Sequence, residues 1–266
     1  MNIYLRELKR NRKSLIIWSI IMIGLIVLMM SVYPSVARDS QNMEQMIESM
    51  PQAFSTIFGL DKLSLSDIFG YYSMEGYLFV TLMGSIYAIM LSAGILSKEE
   101  SDKTVEFLLS KPITRREVVT SKLLVYLTNI IIFNVVMTIT LFISFQMTKT
   151  EDFSMKLFWL ISVAPLLLHL TFGAIGFLIS VFITKGKKIL PVSLGIVLIT
   201  FFFSIIANIS DKLEGIKYLT PFKYVEASDI ILNERIDLKY IMIMVLINVI
   251  CVGMTYVFYN KKDISV

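Results

Sequence analysis

Six long apolar runs, divided by short charged segments, leave few folds open to this chain. A helix crossing the ~30 Å hydrocarbon core of a bilayer needs ~20 mostly apolar residues at ~1.5 Å each. Runs of that kind cover residues 15–33, 77–96, 123–147, 157–184, 189–209 and 240–259, the fourth interrupted by Pro165. Backbone N–H and C=O groups in hydrocarbon must be paired within their own segment, so each run is predicted as a helix. The expected fold is an all-α polytopic membrane protein with six transmembrane helices, residues 1–266 forming one transmembrane domain. Composition agrees: 56% of the 266 residues are hydrophobic and 17% charged, too few charges for a water-exposed surface.

The first run has a basic start (Arg6, Lys9, Arg10, Arg12, Lys13) and is followed by Ser35-Val36-Ala37, features shared with secretory signal peptides. Its apolar stretch exceeds the ~7–15 residues of a signal core, which favours a retained helix. Lys and Arg counts set the orientation. With both termini inside, the inner segments hold 16 basic residues and the outer segments 9. The bias therefore places both termini in the cytoplasm. Residues 1–14 mix Ile3, Leu5 and Leu8 with charges. They read either as a short amphipathic helix on the inner membrane surface or as a plain basic flank. On the outer side, Met43, Met46, Ile47 and Met50 fall at helical spacing before Pro51.

Several chemistries are absent from the sequence. It has no G-x-x-x-x-G-K-[ST] phosphate loop, no H-E-x-x-H and no G-x-S-x-G. The lone histidine, His169, and the lone cysteine, Cys251, leave no zinc site of that type and no intrachain disulfide. No metal or cofactor is expected on this chain. The adjacent Glu99-Glu100 resembles the paired glutamates of intramembrane proteases, but those enzymes also use histidines and this chain has one.

Residues 97–122, SKEESDKTVEFLLSKPITRREVVTSK, are the most charged stretch. Pro112 disfavours helix at Lys111 and divides the stretch in two. Thr114 with Glu117 has capping-box spacing, and so does Ser97 with Glu100. Between Asp102 and Ser110, Val105, Leu108 and Leu109 share one helical side, with Lys103, Glu106 and Ser110 towards the other. The stretch reads as a helical coupling loop with a charged face for a partner. The simpler reading, a solvated connector, also stands.

These residues resemble the second cytoplasmic-side region of ABC-2 type permeases, the membrane-spanning subunits of bacterial ABC exporters. The family pattern is an acidic pair, Gly-Thr, a Leu-rich turn, Ser-x-Pro, [ST]-Arg and a Lys before the next span. The chain presents Glu99-Glu100, Lys103-Thr104, Phe107-Leu108-Leu109, Ser110-Lys111-Pro112, Thr114-Arg115-Arg116 and Lys122, with Lys103 in place of the usual Gly. MPQAFSTIFGL at residues 50–60, GYLF at 76–79 and LTPFKY at 219–224, with Pro221 and Phe222, are also similar, so the resemblance covers most of the chain.

The resemblance implies a permease that forms the pathway for an amphipathic or hydrophobic cargo: an antimicrobial or toxic peptide, a drug or a lipid. It implies a multi-pass protein of the bacterial plasma membrane, paired with a second permease copy or a related permease. Two copies of a separate ABC ATPase subunit would bind ATP and Mg and supply the power. The residues implied to contact that subunit are Glu99, Glu100, Thr104, Glu106, Pro112, Arg115 and Arg116, and for each a solvated face is the alternative. Polar residues in or near the spans are Glu75, Asn134, Thr138 and His169. They line a pathway, or they bond helix to helix, with Glu75 simply at the interface. Gly84, Ala88 and Ser92 form a small-residue stripe suited to close helix contact. The alternative function is a secondary transporter or channel with no ATPase, which would want more ionisable residues at the midplane.

Overall fold

A computed structural model describes residues 3–39, 63–101, 113–183, 185–209 and 211–262. The described residues contain helices and turns and no strand. The helices are α1 (Ile3–Arg38), α2 (Ile68–Met74), α3 (Gly76–Ser101), α4 (Arg115–Thr148), α5 (Met155–Ile179), α6 (Ile189–Ile209), α7 (Ala227–Asn233) and α8 (Leu238–Lys261). Short 3₁₀ segments cover Gly186–Lys188, Asp211–Tyr218 and Pro221–Val225. Six helices (α1, α3, α4, α5, α6 and α8) are long and apolar enough to cross a membrane.

The most buried spans, α3 and α5, form the centre and pack most extensively on each other. Around them α4 packs on α1, α8 on α5, and α6 on α3. Small residues make the central contact close. A Cβ added to Gly176 would lie 2.6 Å from the Ile89 carbonyl oxygen, and one added to Gly173 would lie 2.8 Å from Ile130 Cδ1. A Cβ on Gly84 would lie 2.2 Å from His169 Nε2 and clash with the ring. The stripe Gly84, Ala88 and Ser92 is fully on this buried face, as its spacing predicts. Close backbone approach gains dispersion contacts where lipid offers no hydrophobic drive. The outer helices instead expose large apolar side chains: Ile20 and Leu28 on α1, Ile139 on α4, Phe202 on α6 and Val249 on α8. Such a continuous apolar surface suits hydrocarbon and not water.

The predicted spans lie within the observed helices, with three differences. Residues 3–14 are helical, but they are the first turns of α1 and not a separate surface helix. At ~1.5 Å per residue, this helix of 36 residues outruns the ~30 Å core, so its end projects. The fourth span stops at Ile179, short of the predicted 184, although Val181, Phe182 and Ile183 remain apolar. There Ser180 Oγ donates to the Phe177 carbonyl at 2.5 Å, and the chain leaves the helix. Finally, Ser97 begins no new helix. It is buried inside α3 and its Oγ donates to the Ala93 carbonyl at 3.0 Å, so the Ser97–Glu100 capping box does not form.

The Thr114 capping box does form. The Glu117 N–H donates to Thr114 Oγ1 at 3.2 Å, and the Thr114 N–H donates to Glu117 Oε2 at 2.7 Å. Thr114→Ala should therefore lower stability by about 1 kcal/mol, while Thr114→Ser keeps most of it. Thermal midpoints of the purified variants check this.

Short elements close the end of the bundle opposite the chain termini. Asp67 caps α2 by accepting the Gly70 N–H at 3.2 Å. Burial pushes its carboxyl above the ordinary aspartate range, although the α2 backbone N–H groups pull it the other way. Pro221 opens its 3₁₀ turn at the position where a missing N–H costs nothing. Thr220 Oγ1 donates to the Thr200 carbonyl at 2.7 Å, tying the turn to α6. Tyr77 Oη donates to the Val225 carbonyl at 2.6 Å, tying it to α3.

Candidate functional site

At the termini-bearing end, four spans meet around the residues that flank 102–112. Arg115 opens α4, and its guanidinium reaches the last turn of α8. It donates to the carbonyls of Tyr259 at 3.2 Å, Asn260 at 3.1 Å and Lys262 at 2.6 Å. Helix C-termini leave such carbonyls without intrahelical partners, and a cation there also suits the helix dipole. Lys262 in turn donates to the Val181 carbonyl at 2.6 Å, beyond the end of α5.

Two turns further along α4, Lys122 is fully buried. Its ammonium donates to the Ile95 carbonyl of α3 and lies 4.0 Å from Glu7 Oε2 of α1. The Glu7 carboxylate, itself 1% exposed, also pairs with Arg6 at 3.5 Å and Arg10 at 3.6 Å. Glu7 is the single acid among five basic residues in positions 1–14, which is the one sequence signal that marked it. Sequence reasoning placed Lys122 at the end of the coupling stretch but did not see that it is buried, and it missed Glu7 and Lys262.

The remaining coupling candidates divide. Thr104, Glu106 and Pro112 lie outside the described residues. Glu99 and Glu100 are in the last turn of α3. Arg116 is exposed beside Arg115, so of the two arginines it is the one that faces outward.

Within the spans, His169 is fully buried between α3 and α4. Nε2 donates to the Val80 carbonyl at 3.1 Å, and Nδ1 lies 3.0 Å from the Asn134 side-chain amide. Asn134 and Thr138 border a void of ≈ 10 Å³, room for about one water. In this conformation the group joins helix to helix. Glu75 is exposed at the end of α2, where its N–H donates to the Tyr71 carbonyl at 3.4 Å.

A larger space than this void lies at the opposite end. A cavity of ≈ 340 Å³ lies between the start of α3, the end of α6 and the turn at 221–228. Phe222 lines it; Pro221 is buried but is not on its wall. Beside it, the Lys223 ammonium pairs with Glu226 and lies 3.6 Å from Asp229. Burial lowers the lysine's pKa, but the two carboxylates raise it by more, so it stays a cation.

A bundle of six spans, packed through small residues and bearing a charged, interlocked end, defines the class as a polytopic helical membrane protein. The family profile of the ABC-2 family transporter protein matches residues 1–264, and the chain belongs to that family. It is a multi-pass membrane protein of a family whose members are transmembrane subunits of ABC exporters, without an ATP site of their own. Membership implies an ABC ATPase partner. No curated protein sequence matches the chain.

Proposed function

We propose that this chain is the permease subunit of a bacterial ABC exporter, set in the plasma membrane with both termini in the cytoplasm. Two copies, or one copy and a related permease, pair and rest on two ABC ATPase subunits that bind ATP and Mg. Residues 97–122 receive the stroke of the ATPase, with Glu99, Glu100, Thr104, Glu106, Pro112 and Arg116 on the receiving side. The cargo is amphipathic or hydrophobic.

One observation supports this reading above the others: the helices on both sides of 102–112 are locked to the rest of the bundle. Through Lys122 and Arg115, α4 is joined to α1, α3 and α8. A push at that stretch is then delivered to several spans as one rigid body, which is how a local event moves a packed interior.

The test is co-expression with a candidate ATPase and purification in detergent. Wild-type protein is expected to retain the ATPase, and Arg116→Glu to weaken the complex by about tenfold, the scale of a rim charge reversed against its partner. If the purified chain, reconstituted alone in vesicles, transports substrate down an ion gradient with no ATPase present, the permease reading is wrong.

A further inference from the structure

The cavity at the opposite end carries chemistry that family membership does not assign. Its ≈ 340 Å³ lies within the ~300–1,000 Å³ of small-molecule sites. One wall is apolar: Phe201, Phe222, Leu78 and Ile205 line it, and the two phenylalanine rings meet edge to face with centroids 5.5 Å apart. An apolar body of two fused rings or a short acyl chain suits this wall.

The polar groups of the cavity are biased one way. Ser73 Oγ donates to the Gly70 carbonyl, Thr81 Oγ1 to the Tyr77 carbonyl and Ser204 Oγ to the Phe201 carbonyl. Ser228 Oγ donates to Glu226 Oε1, and Tyr77 Oη to the Val225 carbonyl. Each of these lining hydroxyls has directed its only proton into the protein, so what it still offers is lone pairs. Asn208 follows the same rule. Its Nδ2 donates to Glu226 Oε1 at 3.3 Å, which fixes the amide and leaves Oδ1 buried with no hydrogen-bond partner among the described residues. Glu226 itself only accepts. Lys223, the nearby cation, is shared between Glu226 and Asp229, so this group of three carries a net negative charge. A buried acceptor left unpaired is unfavourable, and a ligand donor that reaches it relieves that cost.

We propose that this cavity binds an amphipathic ammonium: an apolar body against Phe201 and Phe222, with an N–H-bearing cationic head at Asn208 and Glu226. An anionic head is disfavoured, because it would face the Glu226 carboxylate and the lone pairs of these side chains. Binding follows from the cavity alone. That the bound molecule is cargo rests on the exporter reading above.

The test uses the full chain in lipid nanodiscs, without ATPase, and three matched probes: 1-naphthylmethylamine, protonated at neutral pH, 1-naphthylacetate and 1-methylnaphthalene. Equilibrium dialysis against empty nanodiscs removes the lipid background. The amine is expected to bind saturably at one site per chain, at least about tenfold tighter than either analogue, the scale of hydrogen bonds to a charged group. Leu78→Trp fills the cavity and should abolish saturable binding. Asn208→Leu should weaken the amine about tenfold and leave methylnaphthalene unchanged. Thermal unfolding shows whether each variant is folded. If either fails to fold, the ranking of the three probes on wild-type protein still decides. The proposal is overturned if the carboxylate binds as well as the amine, if amine uptake equals that of empty discs, or if folded Leu78→Trp binds unchanged. Because no ATPase is present, failure here leaves the ATPase assignment standing, and failure to recover an ATPase leaves this result standing.

Discussion

Glu7→Leu is expected to destabilise the protein by about 3–5 kcal/mol, the usual result of removing one partner from a buried ionic group. Glu7 is the anion that Arg6, Arg10 and Lys122 share. Arg6 and Arg10 are each a third exposed and can turn towards water, but the side chain of Lys122 is fully buried and cannot. Without Glu7 its ammonium loses a neighbouring carboxylate while still donating to the Ile95 carbonyl. The thermal midpoint in detergent should fall on the order of 10 °C, at about 2–4 °C per kcal/mol for a chain of this size. The double variant Glu7→Leu with Lys122→Met removes both buried charges and should recover much of the loss. The cycle built from the single and double variants measures the coupling directly. If the losses of the two single variants simply add in the double variant, the contact does not bind α1 to α4.

The second large effect is steric. In Gly176→Val, the added Cβ meets the Ile89 carbonyl oxygen at 2.6 Å, a backbone atom of α3 that cannot rotate away. The helices must separate, and the buried stripe of Ala88 and Ser92 loses its close contact. Overpacking of this kind costs about 1–3 kcal/mol or more, and here it acts on the central helix pair. Gly195→Val is the control, because a Cβ on Gly195 meets nothing within 4 Å. Loss of a monodisperse elution peak for Gly176→Val, with Gly195→Val eluting as wild type, is the expected pair of results. Equal behaviour of the two variants would remove α3–α5 contact as the organising interface.

What the sequence made legible follows from physics that acts locally. Hydrocarbon thickness sets span length, so the six helices could be read from apolar runs, and residues 189–209 match α6 at both ends. The Thr114–Glu117 box could be read because capping depends on neighbours three residues apart. The Ser97–Glu100 box has the same spacing but is wrong, because the helix entering it does not stop and Ser97 finds a carbonyl one turn back. Spacing alone could not separate these cases. The short elements at 68–74 and 227–233 were missed because they are under three turns long and are held by distant contacts such as Tyr77 to Val225. The cavity was invisible for the same reason. Its walls come from α3, α6 and the turn at 221–228, and the commitment of each hydroxyl proton is a property of the folded chain. The polar residues that sequence reasoning set apart within the spans, Asn134 and His169, turned out to face each other at 3.0 Å.

The bond from Arg115 to the end of α8 has a lopsided mutational character. All three of its acceptors are main-chain carbonyls, of Tyr259, Asn260 and Lys262. Any amino acid supplies the same oxygen, so these three positions can change identity without breaking the attachment. Only shortening the chain removes it, and deletion from residue 259 onward should cost more than Arg115→Ala, because it also removes the buried Tyr259 and the Lys262 bond to Val181. The attachment therefore tolerates changes of identity at 259, 260 and 262 but not of chain length, whereas at 115 one fork-shaped side chain supplies every donor.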